Sequence, residues 1–552
     1  MSKPHRSLGL TVAIVLVVAG FVPRSLRAVA PNVLILVADD LGWADVPWRG
    51  SPARMPNLDR LRQEGTELMR YYAAPLCSPS RASLHTGPSA VQLGIRDVFS
   101  ARDDGLNVLE HLIPETFRAE GYETALTGKW HLGSSGAHLP TARGFDRFYG
   151  FLGGAISYYS HFGENTTRVD WQRDGTTLNE TGYSTDLLRD EEIRLLRTRD
   201  PAKPFFHVVT LNAPHIPLEA PPELLANYPA LSGDARTYAA MLESLDAGIG
   251  KILAGLTAQR LDADTLVIFI SDNGGPGNSV ARNIPLRGAK SGVYEGGVRV
   301  PAILRWPGAI RAGATSDQFV SVQDLFPTVA AGVGVAPRSR LPLDGLNLWS
   351  ILRGSAPSVD RSFTVVSTTD SAQFEGRWKL VERGNTHELY DVVGDPSETS
   401  NVAATQPAAA SRLRAALTDT LDRSLSAAAK GDARVTNLSA RAAVGGAAGT
   451  PILGFVVAGG AKRLVVRGVG PALAGFGVVG VLADPILELR QGQTLVQTND
   501  NSASSDAMAM TAGGAFALPA GSRDAALVLT FPPAAYTAQT RSVDDGSGVA
   551  LV

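Results

Sequence analysis

Three short apolar runs that stop abruptly at acidic or amide residues constrain this chain more than any other feature. They are Asn32–Ala38 (NVLILVA), 205–211 (FFHVVTL) and 265–270 (TLVIFI). Each is nearly continuous in apolar side chains and too short for a core helix, as expected of strands covered by helices on both faces. Longer helical patterns separate them, so the segment from Pro31 to about Leu421 predicts an α/β fold with a doubly wound sheet. Asp39 and Asp40 follow the first run, Asn212 and His215 the second, and Asp272 and Asn273 the third. Ligands of open α/β sheets bind outside the carboxyl ends of the strands, which predicts that these side chains converge on one site.

The rest of the 552 residues divides around that core. Lys3, His5 and Arg6, the apolar run 8–22 and the small-residue site Ala28-Val29-Ala30 predict a signal peptide over residues 1–30. The run is short of the roughly 20 residues a stable membrane span needs, so the mature protein is expected to be periplasmic or secreted. A catalytic domain is predicted over 31–432, with a subdomain from about 320. Leu413, Leu417, Leu421 and Leu425 form a helical stripe in an Ala-rich stretch that closes it. Residues 433–552 turn to Gly/Ala/Val-rich runs between Gly, Pro and Asn-Asp turns, an all-β accessory domain. The chain stops on an apolar run, 548–552, which leaves open that this domain is incomplete. The segment from Gly468 to Gly475 is faintly like a phosphate loop, but Pro471 sits where a helix should open and no βαβ unit follows. The accessory domain resembles repeats of exported bacterial proteins, and adhesion, substrate binding and a spacer role all stay open for it.

Composition excludes some functions. With 44% hydrophobic and 19% charged residues the chain is too apolar to be disordered. Lys+Arg (51) nearly balance Asp+Glu (53), so no basic field exists to hold nucleic acid or an acidic membrane. Asn165, Asn179 and Asn437 begin glycosylation sequons, without other support for modification. The only cysteine, Cys77, cannot form an internal bridge.

Cys77 lies in Leu76-Cys77-Ser78-Pro79-Ser80-Arg81-Ala82-Ser83-Leu84-His85-Thr86-Gly87. Pro79 suits a first helical turn, which puts Cys77 at a helix N-terminus that favours an anion. Arg81, four residues on, shares that face and can fork onto an oxyanion. A buried small hydrophobe is the plainer reading of a lone cysteine. Asp39, Asp40, Asp272 and Asn273 are hard oxygen ligands suited to one Ca2+ ion and poorly suited to zinc. Paired aspartates after one strand could equally cap a turn, but Asp-Asn at a second strand end favours a cation.

The Cys-x-Pro-Ser-Arg stretch followed by Thr-Gly resembles the signature of the type I sulfatases. Asp39-Asp40-Leu41-Gly42, Thr127-Gly128-Lys129-Trp130-His131-Leu132-Gly133, Ala213-Pro214-His215, Ser271-Asp272-Asn273-Gly274-Gly275 and 286–299 stand in that family's order. The wording around 71–77 and 144–161 is similar to arylsulfatase B-like members, which act on N-acetylgalactosamine 4-sulfate. The resemblance implies an alkaline-phosphatase-like α/β fold with a mixed sheet, and sulfate ester hydrolysis on a sulfated carbohydrate or aryl sulfate. It also implies a formylglycine made from Cys77 by a maturation enzyme, whose hydrate adds an oxygen ligand to the metal set. One hydroxyl of that hydrate would attack sulfur while Ca2+, Arg81 and Lys129 hold the developing charge. His215 or Lys290 would protonate the leaving oxygen, and His131 would take a proton from the second hydroxyl.

Other residues are read from their context. Lys129 and His131, two apart, would project from one face of an extended segment. His207 lies inside an apolar run and reads as a core histidine. His85 could face either way. Tyr158, Tyr159 and His161 could line a sugar cleft, although aromatic clusters are more often core. Two alternatives keep different chemistry: a phosphoester or phosphonate hydrolase of the same superfamily, which would favour Ser or Thr as nucleophile or a two-metal site, and a glycan-binding protein in which Cys77 stays unconverted.

Overall fold

The computed structural model describes residues 30–100, 105–277, 280–430, 441–445, 449–457, 462–502, 510, 516–519, 521–532 and 534–552. Residues 1–29 of the expected signal peptide 1–30 and the sequon at Asn437 lie outside the described residues.

All three predicted runs are strands of one ten-stranded mixed sheet. Its centre holds five parallel strands in the spatial order Thr265–Ser271, Asn32–Ala38, Phe205–Thr210, Glu123–Lys129 and Arg147–Phe151. Ala302–Arg305 adds antiparallel beside Thr265–Ser271, which makes the sheet mixed. Side chains alternate between the two faces, as the strand period of two requires. Val33, Ile35 and Val37 pack with Leu84, Phe117 and Phe326 on one side. Leu34 and Leu36 pack with Leu58, Leu188 and Leu245 on the other. Helices Cys77–Thr86, Ile113–Ala119 and Leu325–Val333 thus cover one face, and Pro56–Glu64, Ser184–Thr198 and Gly233–Ala258 the opposite one. Each fully buried aliphatic side chain contributes about 1.5–3 kcal/mol, so the apolar runs favour only a register with both faces covered. The α/β class and the alkaline-phosphatase-like mixed sheet expected from the sequence are what the chain adopts.

Register positions the site. Ala38 lies opposite Ser271 and Val37 opposite Thr210, so Asp39, Asp272 and the 211–215 turn leave the sheet side by side.

Beyond 320, strands Ser362–Val366, Asp370–Glu375, Trp378–Arg383 and Thr386–Asp391 form an antiparallel sheet. The helix Pro407–Lys430 lays Leu413 and Leu417 against Leu380 and Leu389 of that sheet, so the four-residue leucine spacing marks a closing helix. In the C-terminal region Arg441–Val444 pairs with Gly548–Leu551, and Pro485–Gln491 with Ala534–Ser542 and Thr494–Asn499. The loop-like segment after Gly468 turns its backbone donors onto a side chain of the same region. Its Gly470 and Ala472 N–H groups donate to the buried Asp524 carboxylate.

Candidate active site

Asp39 and Asp40 follow directly from the first strand, and Asp40 takes the left-handed backbone conformation (φ 68°) that turns the chain across the sheet end. The turn is braced beneath by Asp45, whose carboxylate accepts from Gly42 N (2.7 Å) and the Tyr238 hydroxyl (2.8 Å). Asp272 and Asn273 leave the neighbouring strand. Asp272 Oδ1 accepts from the Asp40 N–H (3.2 Å), and Asn273 Nδ2 donates to Asp40 Oδ1 (2.7 Å).

The third contributor is the helix Cys77–Thr86, every residue of which is buried. Ser80 Oγ accepts from the Ala74 N–H (2.8 Å), fixing the entry, and Gly87 at φ 93° ends the helix. Cys77 stands at its first position with Sγ 3.8 Å from Asp39 Oδ1. Burial pushes the thiol up to about 12, so an unmodified Cys77 stays protonated and is a poor nucleophile and a poor ligand.

Cations interleave with these acids. Lys129, at the end of its strand, reaches Asp39 Oδ2 at 2.6 Å. Gly128 at φ 119° permits this, because a Cβ there would sit 1.9 Å from the Thr210 carbonyl oxygen. Arg81 forks its Nε and Nη2 onto Asp272 Oδ2 (3.1 and 2.8 Å) and donates Nη1 to the Lys129 carbonyl (2.9 Å). The fork lies fully buried on a carboxylate, so in this structure the guanidinium holds the acids in place. Lys290 lies 2.7 Å from Asp40 Oδ1. Burial opposes its charge, but the nearby Cys77, Asp40 and Asp39 raise its pKa above the usual lysine range. Burial alone would push Asp39 up; Lys129, His215 and Arg81 overcome that and hold it well below the usual carboxylate range. Asp272 moves the other way, raised by burial and by Asp39 against the pull of Arg81.

Two histidines complete the site. His131 is buried, and burial, Lys129 and Arg81 hold it neutral, well below the usual imidazole range. Its Nε2–H bonds the Phe99 carbonyl (3.1 Å), which leaves Nδ1 as a buried acceptor without a partner among the described residues. The ring presses on Gly154, where a Cβ would meet Cε1 at 2.7 Å. His215 Nδ1 donates to the Ile216 carbonyl (2.8 Å), and Nε2 lies 3.6 Å from Asp40 Oδ2.

Ligand atoms of Asp39, Asp40, Cys77 and His215 all lie within 4.8 Å of one another. Asn273 Oδ1 is buried and unpartnered among the described residues, an oxygen left for a cation. With the carboxylates of Asp39, Asp40 and Asp272 this makes a hard oxygen donor set, which fits the expected Ca2+ ion better than a soft metal.

A sequence model of one family, described as Sulfatase, matches residues 31–335, more than half of the chain. The chain belongs to the sulfatase family. Mouse arylsulfatase J is 32% identical to this sulfatase over 342 residues, 60% of this chain and 57% of that protein. Human N-acetylgalactosamine-6-sulfatase is 35% identical over 354 residues, covering 58% and 66%. The chain therefore spans less than two thirds of the length of these curated relatives. Among solved structures, Ps i-CgsB in complex with k-i-k-neocarrahexaose superposes with a TM-score of 0.66 at 31% identity, covering 71% of this sulfatase and 93% of that chain.

Every predicted site residue of this sulfatase, Asp39, Asp40, Cys77, Arg81, Lys129, His131, His215, Asp272, Asn273 and Lys290, falls at this end of the sheet. His215 lies closer to the acidic cluster than its expected role as proton donor alone suggests. The extended spacing assumed for 129–131 ends at Lys129, because His131 takes a left-handed conformation (φ 58°). His207 is a core histidine, bonded through Nδ1 to Glu192 Oε1 (2.8 Å). Tyr158 and His161 do not line an open cleft. Tyr158 is 0% exposed, and His161, 1% exposed, stacks on Trp171 at 4.6 Å. Only Tyr159, 44% exposed, faces solvent. The sequence reading missed Gly154 and the Asp45–Tyr238 brace, since a glycine's close approach and a contact 193 residues apart leave no local pattern.

Proposed function

We propose that this chain hydrolyses sulfate esters of carbohydrates, with a formylglycine made from Cys77 and one bound Ca2+ ion. One observation carries the reading. A buried cysteine at a helix N-terminus stands against Asp39, amid alternating acids and cations at the carboxyl ends of the sheet. The converted residue and the Ca2+ supply, respectively, the oxygen nucleophile for sulfur and a positive charge for the sulfuryl oxygens.

The chain's own groups account for the remaining needs. Asp39, Asp40, Asp272 and the unpartnered Oδ1 of Asn273 would hold the ion. Lys129 and Lys290 place two ammonium groups among these acids, where they would stabilise negative charge on the sulfuryl oxygens. Arg81 fixes Asp272 and the Lys129 carbonyl and so keeps these groups at their spacing. His215, in its imidazolium form with Nδ1–H engaged by the Ile216 carbonyl, would donate the Nε2 proton to the leaving oxygen and become neutral, and Lys290 flanks it. His131, neutral with Nδ1 unpartnered among the described residues, would accept a proton from position 77.

The finer reading is a sulfated N-acetylgalactosamine. The 144–161 stretch suggests the 4-sulfate, and the similarity to N-acetylgalactosamine-6-sulfatase adds the 6-sulfate. No helix among the described residues is long and apolar enough to cross a membrane. The test is sulfate release from 4- and 6-sulfated chondroitin oligosaccharides and a carrageenan oligosaccharide, beside phosphate release from 4-nitrophenyl phosphate, by the matured protein. Release from a sulfated sugar supports the reading. Turnover of the phosphate ester alone points to the phosphoesterase alternative.

A further inference from the structure

The carbonyls of Asn212 and His215 both lie 2.8 Å from one phenol hydroxyl, that of Tyr158. Its single proton is shared between the two ends of the turn that carries His215. The ring cannot be a platform for substrate, because it is fully buried and stacks on Tyr183 at 5.1 Å. The rest of the turn is pinned from the same side. Tyr183 donates its hydroxyl to the Glu219 carbonyl (2.9 Å), and the Glu219 carboxylate accepts from the Tyr158 N–H (2.6 Å) and Ser157 Oγ (3.0 Å).

This matters for the imidazole because Nδ1 bonds the next carbonyl in its own chain, at Ile216. The ring therefore moves with the backbone of 215–216, and the Tyr158 hydroxyl is a side-chain group that holds that backbone. We propose that Tyr158 is a positioning residue that sets His215 Nε2 for proton donation to the leaving oxygen. The inference rests on the sulfatase reading above, with His215 as the donor.

Leaving-group dependence separates this role from a merely structural one. A sugar alkoxide needs a proton as it departs, whereas nitrophenolate hardly does. In Tyr158→Phe, kcat on the sulfated sugar should fall by about tenfold or more while kcat on 4-nitrophenyl sulfate falls by less than about threefold, since a small misplacement of a catalytic group is costly. In a His215→Ala background the same change should add nothing on the sugar. Equal losses on both substrates, or a full additional loss in the His215→Ala background, would overturn the proposal. Should Tyr158→Phe not fold, Glu219→Gln, which loosens the clamp at the Tyr158 N–H, must give the same split, and equal losses there overturn it too. A wild-type enzyme that releases sulfate from neither substrate removes the sulfatase reading, and this inference with it.

Discussion

Lys129 Nζ lies 2.6 Å from Asp39 Oδ2, and neither side chain is exposed to solvent. The pair joins the ends of two strands 90 residues apart and fixes the acid that faces Cys77. Breaking a buried pair leaves an uncompensated charge, at a cost of about 3–5 kcal/mol. Arg81 Nη2 stays 3.6 Å from Asp39 Oδ2, so Lys129→Met should lower the unfolding free energy by at most about that amount in chemical denaturation. Lys129→Met combined with Asp39→Asn should recover part of the loss. A double variant no more stable than the single one would show that the pair is not the cause.

Arg81→Lys should fold with a small change in melting temperature yet lose activity by about a hundredfold, because an ammonium cannot reproduce the fork on Asp272 and the bond to the Lys129 carbonyl. Steady-state kinetics beside a thermal melt would separate the two effects.

Gly154→Ala puts a methyl group where the His131 imidazole now sits. Overpacking of this kind costs about 1–3 kcal/mol if the ring cannot move and less if it can. Either way the proton acceptor is displaced. We expect kcat to fall with KM nearly unchanged, whereas Gly153→Ala, whose Cβ would meet only Asp170 Oδ2, should spare kcat.

Acid stability should report His85, which is buried between Trp130 and Phe145 at ring distances of 5.2 and 5.7 Å. Burial, with Arg81 second, lowers its pKa from 6.5 to about 3. The folded state thus holds the neutral ring, so this stability is fully present above pH 6.5 and is lost as pH falls toward 3. At pH 5 the loss is about 2 kcal/mol. His85→Leu should flatten the decline of melting temperature between pH 7 and 5; an unchanged decline would assign it to other groups.

Calcium should raise the melting temperature of metal-depleted protein in a concentration-dependent way, by linkage to the folded state. Asn273→Ala removes the unpartnered Oδ1 and should weaken that response at least tenfold in apparent Kd, as seen in a melting titration without any substrate.

Much of this site is legible in the chain because strand ends and hard ligands leave local marks. The run Asn32–Ala38 followed by Asp39-Asp40, and its counterpart before Asp272-Asn273, announce both the parallel core and the acidic cluster. The start of the helix at Cys77 is equally plain from Pro79. Long-range partners are not legible. Nothing near Arg81 announces that its fork is taken by Asp272, 191 residues away. The burial of Tyr158 and His161 was equally hidden, since 157–161 is irregular and carries no period to say which side faces the core. The reach of Lys129 depends on Gly128, but the left-handed turn at His131 breaks the extended spacing that residues 129–131 suggest.

The most direct test is the mass of the tryptic peptide 71–81 from protein that is active on a sulfate ester. The account predicts a peptide that has lost one sulfur and two hydrogens and gained one oxygen, the mark of formylglycine at position 77. An intact cysteine in the active protein would contradict it.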